Sequence, residues 1–159
     1  MNGMLRHQGF QFRVEPTDEQ RSIMEQTAGT VRFIWNSALA LQKYRLGKHL
    51  KLLSYAELCK ELTEARNDPE LDFLAKIHSK PQQQVFIYLN NAFRGFFSGE
   101  KGFPRFKKKG QCDDSFRFPA YQDNIELDGN RIKLPALGWV RFRKSRKVEG
   151  TIKSVTVKR

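Results

Sequence analysis

The hydrophobic pattern of this chain changes period once, and that change constrains its fold more than any other feature. Over residues 17–97 the apolar side chains recur at the three- and four-residue spacing of helices. Beyond residue 101 they alternate with polar side chains, as in half-buried strands. A short alternating stretch, residues 9–14, precedes the helical part and ends at Pro16. We therefore expect an α+β chain in the order strand, helices, strands.

Capping motifs delimit the predicted helices. Thr17 with Gln20, and Ser54 with Glu57, form capping boxes, in which a hydroxyl accepts from a backbone N–H one turn later and the second side chain reaches back. Ser79 is expected to cap a third long helix. The predicted helices cover about residues 18–46 with a bend or break at Gly29, 54–65, a short segment within 71–77, and 79–97 with Pro81 in its first turn.

The alternation after residue 101 predicts a set of short antiparallel strands. The sequence Asp128-Gly129-Asn130 is typical of a tight hairpin turn, because these residues tolerate positive φ. The candidate strands are residues 115–118, 124–127, 131–134, 138–143 and 151–157. If the strand at residues 9–14 joins them, the helical part is an insertion into a small antiparallel barrel.

Charge is distributed as unevenly as the hydrophobic pattern. Residues 1–100 hold 13 basic and 11 acidic side chains, a net charge of +2, whereas residues 101–159 hold 16 and 6, a net charge of +10. Such an excess predicts a polyanionic partner, either nucleic acid or an acidic membrane surface. The sequence has no apolar run of the ~18–20 residues that span a membrane, and residues 1–11 do not resemble a secretory signal.

Cysteine, histidine and carboxylate spacing gives little support for catalysis. We expect Cys59 and Cys112 to be separate thiols in a reducing cytosol, although one disulfide is conceivable. There is no zinc-ligand spacing, no nucleophile motif and no phosphate-cradling glycine loop. No set of carboxylates suggests two-metal chemistry. We therefore predict no catalytic residue, no cofactor and no bound metal.

The stretch from Gly102 to Gly110 reads Gly-Phe-Pro-Arg-Phe-Lys-Lys-Lys-Gly and interleaves four cations with two aromatic residues. Lysine and arginine neutralise phosphates, and exposed aromatic rings stack on bases. The alternative is a solvated basic loop whose Phe103 and Phe106 only anchor it to the core. From this stretch alone the two interpretations have about equal weight.

A second basic cluster near Trp139 favours nucleic acid. On a strand, Arg141 and Arg143 share one face while Val140 and Phe142 share the other. A cationic face opposite an apolar face fits binding to an RNA or DNA backbone, with a merely solubilising face as the alternative. The cluster consists of Arg141, Arg143, Lys144, Arg146 and Lys147.

A series of motifs runs in order along essentially the whole chain. They are Phe-Arg-Val-Glu-Pro-Thr at 12–17, Val-Arg-Phe-Ile-Trp-Asn at 31–36, Ala-Phe-Arg-Gly-Phe-Phe at 92–97, Gly-Phe-Pro-Arg-Phe-Lys-Lys-Lys at 102–109, Ile-Lys-Leu-Pro at 132–135, Leu-Gly-Trp-Val at 137–140 and Ile-Lys-Ser-Val-Thr-Val at 152–157. Through these motifs the sequence resembles the N-terminal half of TnpB (OrfB) proteins, which bacterial and archaeal insertion sequences encode.

TnpB proteins are RNA-guided DNA endonucleases, and the resemblance implies a particular architecture. It implies a wedge domain, a small antiparallel oligonucleotide-binding-like β-barrel, with a helical recognition domain inserted after its first strand. Residues 1–16 would then be the first wedge strand, 17–110 the recognition domain and 111–159 the remaining wedge strands. The implied partners are guide RNA from the transposon end and target DNA, not a membrane, in a prokaryotic cytoplasm near the nucleoid. The resemblance does not imply an oligomeric state.

The resemblance also implies which residues contact nucleic acid. Gln83 could pair with an adenine through two hydrogen bonds in the major groove, the alternative being a solvent-facing helical glutamine. Contacts to the DNA motif are expected from Tyr55, Gln83, Tyr121 and Gln122, with Cys59 and Lys80 as neighbours. Phosphate contacts to the guide RNA are expected from Arg105, Lys107, Lys108, Lys109, Arg141, Arg143, Lys144 and Arg146.

The catalytic part of the family has no counterpart in these 159 residues. In the family a RuvC-like nuclease domain, with three acidic residues and zinc-binding cysteines, follows the strand that matches residues 152–157. We therefore expect a chain that binds nucleic acid without cutting it. Two alternatives remain: a helix-turn-helix accessory protein or repressor of an insertion sequence, and a nuclease whose carboxylates come from a partner chain.

Overall fold

The computed structural model describes residues 3–121 and 124–159 and has an α+β architecture, as the sequence predicts. The helices are α1 (Asp18–Gly47), α2 (Tyr55–Arg66), α3 (Asp72–Ala75) and α4 (Ser79–Phe97), with a 3-10 turn at Pro69–Leu71 before α3. The strands are β1 (Val14–Glu15), β2 (Ser115–Pro119), β3 (Glu126–Asp128), β4 (Arg131–Leu134), β5 (Gly138–Phe142) and β6 (Ser154–Lys158).

The strands of the described residues form two antiparallel sheets. One has four strands in the order β1-β5-β4-β3, and the other pairs β2 with β6. The first strand joins the later ones through Val14 opposite Phe142 and Glu15 opposite Arg141. The four helices of the described residues therefore lie, along the chain, between two strands that are neighbours in one sheet.

The amino-terminal strand is shorter than the alternation predicts. The strand consists of Val14 and Glu15, the Arg13 carbonyl just before it accepts from the Arg143 N–H at 2.8 Å, and residues 9–12 have no regular secondary structure. Phe12 nevertheless packs on Phe142 of β5, with ring centroids 5.1 Å apart, and Phe10 stacks on Phe12. The alternation thus marks aromatic packing at the sheet edge rather than a longer ladder of hydrogen bonds.

Helix α1 begins at the predicted capping box. The Thr17 hydroxyl accepts from the Gln20 N–H at 3.2 Å, and the Thr17 N–H donates to the Gln20 side chain at 3.0 Å. The break predicted at Gly29 is wrong, because α1 is one helix of 30 residues. Residues on both sides of Gly29, including Ala28 and Val31, are buried. Their burial offsets the ~1 kcal/mol cost of a helical glycine.

The other caps differ in detail from the predictions. The Ser54 hydroxyl caps α2 by accepting from the Glu57 N–H, but it also donates to the Glu57 carboxylate, so no reciprocal bond to the Ser54 backbone is seen. The cap of α4 is His78, not Ser79, because the imidazole accepts from the Lys80 N–H at 3.2 Å.

The helices and both sheets share one hydrophobic core. Leu39, Leu58, Leu74 and Leu89, one from each helix, are almost fully buried; burying such a side chain contributes about 1.5–3 kcal/mol. The buried cluster continues into the strands through Phe116, Phe118, Leu134 and Val140. The segment that links α4 to β2 is therefore held at both ends by one core.

Candidate nucleic-acid interface

The basic loop, residues 102–110, is fastened to the middle of α1. Trp35 Nε1 donates to the carbonyl oxygen of Arg105 at 2.8 Å. Asn36 brackets Lys107, because its Nδ2 donates to the Lys107 carbonyl at 2.8 Å and its Oδ1 accepts from the Lys107 N–H at 2.8 Å. Two neighbouring side chains of a helix thus fix the backbone of a loop 70 residues later.

The two phenylalanines of the basic loop have different environments. Phe103 packs edge-to-face on Phe93 and Phe96 of α4, at centroid distances of 5.5 and 5.1 Å, and anchors the loop. Phe106 is 48% exposed, and its ring lies 5.9 Å from Lys43 Nζ of α1. The loop therefore has one anchoring ring and one accessible ring, so both interpretations of its aromatic residues apply in part.

The cations of the basic loop also divide into two kinds. Lys107 is half-buried, its Nζ lies 4.2 Å from the centre of the Trp35 ring, and burial lowers the pKa of its ammonium. Arg105, Lys108 and Lys109 are exposed, and none of them has a carboxylate within 4.0 Å in the described ranges. Three predicted phosphate-binding residues are accessible, whereas Lys107 contacts α1.

The exposed side of the four-stranded sheet, which we call the sheet face, is the second cationic surface. Along β5, Val140 and Phe142 are buried while Trp139 and Arg141 are exposed, which confirms the predicted alternation. Arg131 of β4 lies directly opposite Arg141, and Lys133 lies opposite Trp139. The central strands β4 and β5 thus present three cations and one tryptophan.

Among the described residues, the acidic side chains of the sheet face lie at its edges. Glu15 is on edge strand β1, and Glu126 and Asp128 are on edge strand β3. Asp128 pairs with Arg131 at 3.1 Å. Arg141 has no carboxylate within 4.0 Å in the described part of the chain. The sheet face is therefore cationic and aromatic along its centre.

Most cations of the cluster at residues 143–147, which follows β5, have partners within the chain. Arg143 Nε donates to Glu15 at 2.6 Å, and this hydrogen bond is the main reason that the pKa of the Glu15 carboxyl is lowered. Arg146 donates to the Gly9 carbonyl at 3.1 Å, and its guanidinium lies 4.5 Å from the Phe10 ring centre. Lys147 pairs with Glu149 at 3.8 Å. Lys144 is exposed and has no such ion pair among the described residues.

Among the residues predicted to read a DNA motif, the structure brings together two pairs. Tyr55 and Cys59 are one turn apart in α2; burial, and then the contact with the Cys59 thiol, raise the pKa of the Tyr55 hydroxyl. Lys80 Nζ lies 5.4 Å from the centre of the Tyr121 ring, which is 58% exposed.

Gln83, also predicted to read DNA, is half-buried on α4 and is joined to neither pair by a described hydrogen bond. The fully buried residue is its neighbour Gln82, which donates to the carbonyls of Leu74 and Ile77. Gln122 lies outside the described residues.

Sequence reasoning did not identify several residues that shape these surfaces. Arg131 and Lys133 could have been found, because their alternation with Ile132 and Leu134 already places both on one face of a strand. Gln20 is different: beyond its cap it donates to the carbonyls of Leu137 and Trp139, at 3.1 and 2.8 Å, so it links α1 to β5. No sequence pattern signals that long-range contact.

Two further carboxylates form ion pairs, and the two cysteines are not bonded to each other. Asp113 pairs with Lys158 at 3.0 Å, and Asp114 with Arg32 at 3.2 Å. Cys59 and Cys112 are free thiols, as expected.

Within residues 3–121 and 124–159, no group of three His, Cys, Asp or Glu residues could hold a metal ion. In the same ranges, no helix has the length and apolarity required to cross a membrane.

Residues 4–51 match the OrfB_IS605 family model, described as a helix-turn-helix domain. The chain is 40% identical over 156 residues to the "Putative RNA-guided DNA endonuclease InsQ" of Escherichia coli (strain K12), a match that covers 97% of this chain and 38% of the relative. It is 35% identical over 100 residues to a "Putative RNA-guided DNA endonuclease" of Streptomyces pristinaespiralis, which covers 63% of this chain and 25% of the relative.

The chain is thus an α+β protein whose residues 4–51 match an insertion-sequence family model that is described as a helix-turn-helix domain. It belongs to the TnpB/OrfB family and corresponds to the N-terminal part of such a protein. It spans less than half of the length of the curated relatives it matches.

Proposed function

We propose that this chain binds guide RNA from the transposon end and target DNA, as the N-terminal part of a TnpB-like RNA-guided nuclease, and does not cut DNA by itself. The observation that carries the proposal is the basic loop, whose accessible cations Arg105, Lys108 and Lys109 project from a backbone that α1 fixes. Accessible cations on a loop whose backbone is already held suit phosphate binding, because little order of the loop backbone must be gained on binding. The relatives named as RNA-guided endonucleases support nucleic acid as the partner.

The proposal includes a division of labour within the chain. Residues 1–16 and 111–159 would form the wedge domain and hold the guide RNA, and residues 17–110 would form the recognition domain. The pairing of β1 with β5 supports this arrangement, because the helices lie between two neighbouring strands. Contacts to a DNA motif would come from the Tyr55–Cys59 and Lys80–Tyr121 pairs, with Gln83 and Gln122.

A helix-turn-helix repressor is less well supported by the geometry. Residues 4–51 hold β1 and the whole of α1, a single helix without an internal turn. Reading a major groove with a helix-turn-helix requires a second helix set across the first. The matched residues therefore offer a family relationship rather than that docking geometry.

A salt series tests the proposal. Binding of the chain to RNA transcribed from the transposon end would be measured between 50 and 200 mM salt, with a scrambled RNA and a DNA duplex for comparison. The double variant Lys108→Gln/Lys109→Gln should reduce the slope of log affinity against log salt by about 1.4–1.8, since each lost phosphate contact removes about 0.7–0.9.

The matched control removes the same charge elsewhere. Lys48→Gln/Lys76→Gln, both outside the basic loop, should leave the slope unchanged. A flat salt response in the wild-type chain contradicts phosphate binding. Cleavage of a DNA target with Mg²⁺ and the isolated chain contradicts a role limited to binding, whereas no cleavage is expected.

A further inference from the structure

The centre of the sheet face combines an accessible indole with two unequally engaged arginines. Trp139 is 37% exposed, and the Arg131 guanidinium lies 5.4 Å from its ring centre. Arg141 lies directly across from Arg131 on the neighbouring strand. Side chains directly opposite on antiparallel strands are about 5 Å apart at Cβ, and like charges in such positions repel each other. Arg131 already pairs with Asp128 at 3.1 Å, whereas Arg141 has no carboxylate within 4.0 Å among the described residues, so Arg141 is the arginine that is available to a phosphate.

The backbone beneath Trp139 is fixed from two sides. On one side, Trp139 pairs with Lys133 of β4. From the helices, Gln20 donates to the Trp139 carbonyl at 2.8 Å. Val140, the next residue, is completely buried, so the strand cannot rotate Trp139 inward without exposing the core. An aromatic residue that remains exposed in such a rigid position is available to a ligand.

The pattern of charge suggests which ligand suits this surface. The edge strands carry Glu15, Glu126 and Asp128, whereas the central strands carry only Arg131, Lys133 and Arg141 beside Trp139. A duplex backbone presents phosphates but keeps its bases stacked inside, out of reach of an indole. An unpaired nucleotide presents both a phosphate and an aromatic ring, so it can use the cations and the indole together.

We propose that the sheet face binds an unpaired nucleotide of a single strand, with its base against Trp139 and its phosphates on Arg131 and Arg141. The inference rests on the proposed nucleic-acid-binding function. It adds where a strand binds, that the strand is single, and that Trp139 contacts its base. The basic loop contacts backbone of any form, whereas the sheet face selects an unstacked base. Stacking is tolerant of base identity, so this site positions a strand and does not read its sequence.

Intrinsic fluorescence gives a direct test, because the only other tryptophan, Trp35, is 8% exposed. A 12-nucleotide oligouridylate, the same length of oligothymidylate and a blunt DNA duplex would be titrated into the full chain. Both single strands should quench the emission of the wild-type chain, and the duplex should not. The comparison of the RNA with the DNA single strand shows which sugar the site prefers.

Substitutions then assign the signal to this surface. Trp139→Leu should weaken single-strand binding roughly 5- to 150-fold, the range for loss of one stacked base, whereas Trp139→Phe should retain most of the affinity and lose the quenching. Arg141→Gln should reduce the salt slope with single strands by about 0.7. The matched control is Phe33→Leu, an exposed aromatic of α1 with a similar exposed fraction of 39%, which should bind as the wild type does. Far-ultraviolet circular dichroism and urea unfolding would verify that each variant is folded.

The failure of this inference can be distinguished from failure of the proposed function. If the chain binds single strands but Trp139→Leu binds as tightly as the wild type, the sheet-face site is wrong while nucleic-acid binding stands. If the duplex quenches the fluorescence as strongly as the single strands do, the site does not select unpaired bases. If no nucleic acid binds at any salt concentration, both proposals are wrong.

Discussion

The basic loop and the sheet face are both cationic and both contain an exposed aromatic ring, but they are held in place by different means. Arg105 and Lys107 of the loop are positioned by Trp35 and Asn36, about 70 residues earlier in the chain. Arg141 and Trp139 of the sheet face are positioned mainly by the alternation and pairing of their own strands, and Gln20 of α1 adds a hydrogen bond to the Trp139 carbonyl. The same composition therefore gives two surfaces with different sensitivity to mutation in the helical part.

The largest expected effect is on the free energy of unfolding, for substitutions of Trp35, which holds the basic loop. Trp35→Ala removes a buried ring from the core and the donor to the Arg105 carbonyl. It should lower the free energy of unfolding by about 3–5 kcal/mol, as measured by urea denaturation. Trp35→Phe keeps most of the packing and should lose only about 1 kcal/mol for the missing hydrogen bond. Equal losses of unfolding free energy in both variants would show that packing of the indole ring does not account for the effect.

Asn36→Ala tests the fastening of the loop with less disturbance of the core. The variant leaves the Lys107 N–H and carbonyl without their partner and should cost about 1–3 kcal/mol. Hydrogen exchange at the Lys107 amide should become faster, while exchange at the Val140 amide on β5 should become faster only as far as global stability falls. Asn36→Asp, which keeps the acceptor, should protect the amide better than Asn36→Ala does. An unchanged rate of hydrogen exchange at the Lys107 amide would show that Asn36 does not hold the basic loop in place.

Lys107→Met distinguishes an anchoring lysine from a phosphate-binding one. The change should alter the free energy of unfolding at pH 7 by less than about 1 kcal/mol, because a cation–π contact is replaced by a sulfur–aromatic contact of similar strength. It should change the salt slope of RNA binding less than Lys108→Gln does. An equal change in slope would place Lys107 among the phosphate-binding residues.

The same variant predicts a pH dependence. Burial lowers the pKa of Lys107 from its ordinary value of 10.5, so the unfolded chain binds more protons than the folded chain in the pH range just below that value. The stability of the wild type relative to Lys107→Met should therefore rise as pH increases through this range and be least at neutral pH. Urea unfolding at pH 7 and pH 10 measures the difference, and an opposite trend would contradict the assigned burial.

The smallest effect on the free energy of unfolding is expected for a substitution on the sheet face. Arg141 is exposed and unpaired in the described residues, so Arg141→Gln should change the free energy of unfolding by less than about 0.5 kcal/mol. Urea denaturation of this variant beside Asn36→Ala compares the two surfaces directly. A loss of more than about 1 kcal/mol would mean that Arg141 has a structural role, and the difference between the two surfaces would disappear.

Much of the fold could be predicted because its signals are local. The Thr17 capping box, the apolar stripe of α4 and the alternation of β5 each lie within a few residues of sequence, and all three appear as expected. The errors arose where packing overrides a local preference. Gly29 continues a helix because its neighbours are buried, and residues 9–12 do not form a strand although their aromatic residues pack at the sheet edge.

The candidate site was predictable as a set of charges but not as a set of contacts. The sequence marks Arg105, Lys107, Lys108 and Lys109 as one cluster, yet only the structure shows that Lys107 lies over Trp35. The same holds for Arg143, whose guanidinium is engaged by Glu15 of β1. Charge counts cannot separate accessible cations from paired ones, because the partners lie far away in sequence.

By itself the sequence determined the order of elements, the family and the concentration of positive charge in residues 101–159. These properties depend on local periodicity and on composition, which need no knowledge of distant contacts. The tertiary structure alone decided that β1 closes onto β5, that Asn36 holds the basic loop and that Trp139 is exposed beside Arg131. Each of these is a pairing between residues far apart in the chain, and only the packing of one shared core brings them together.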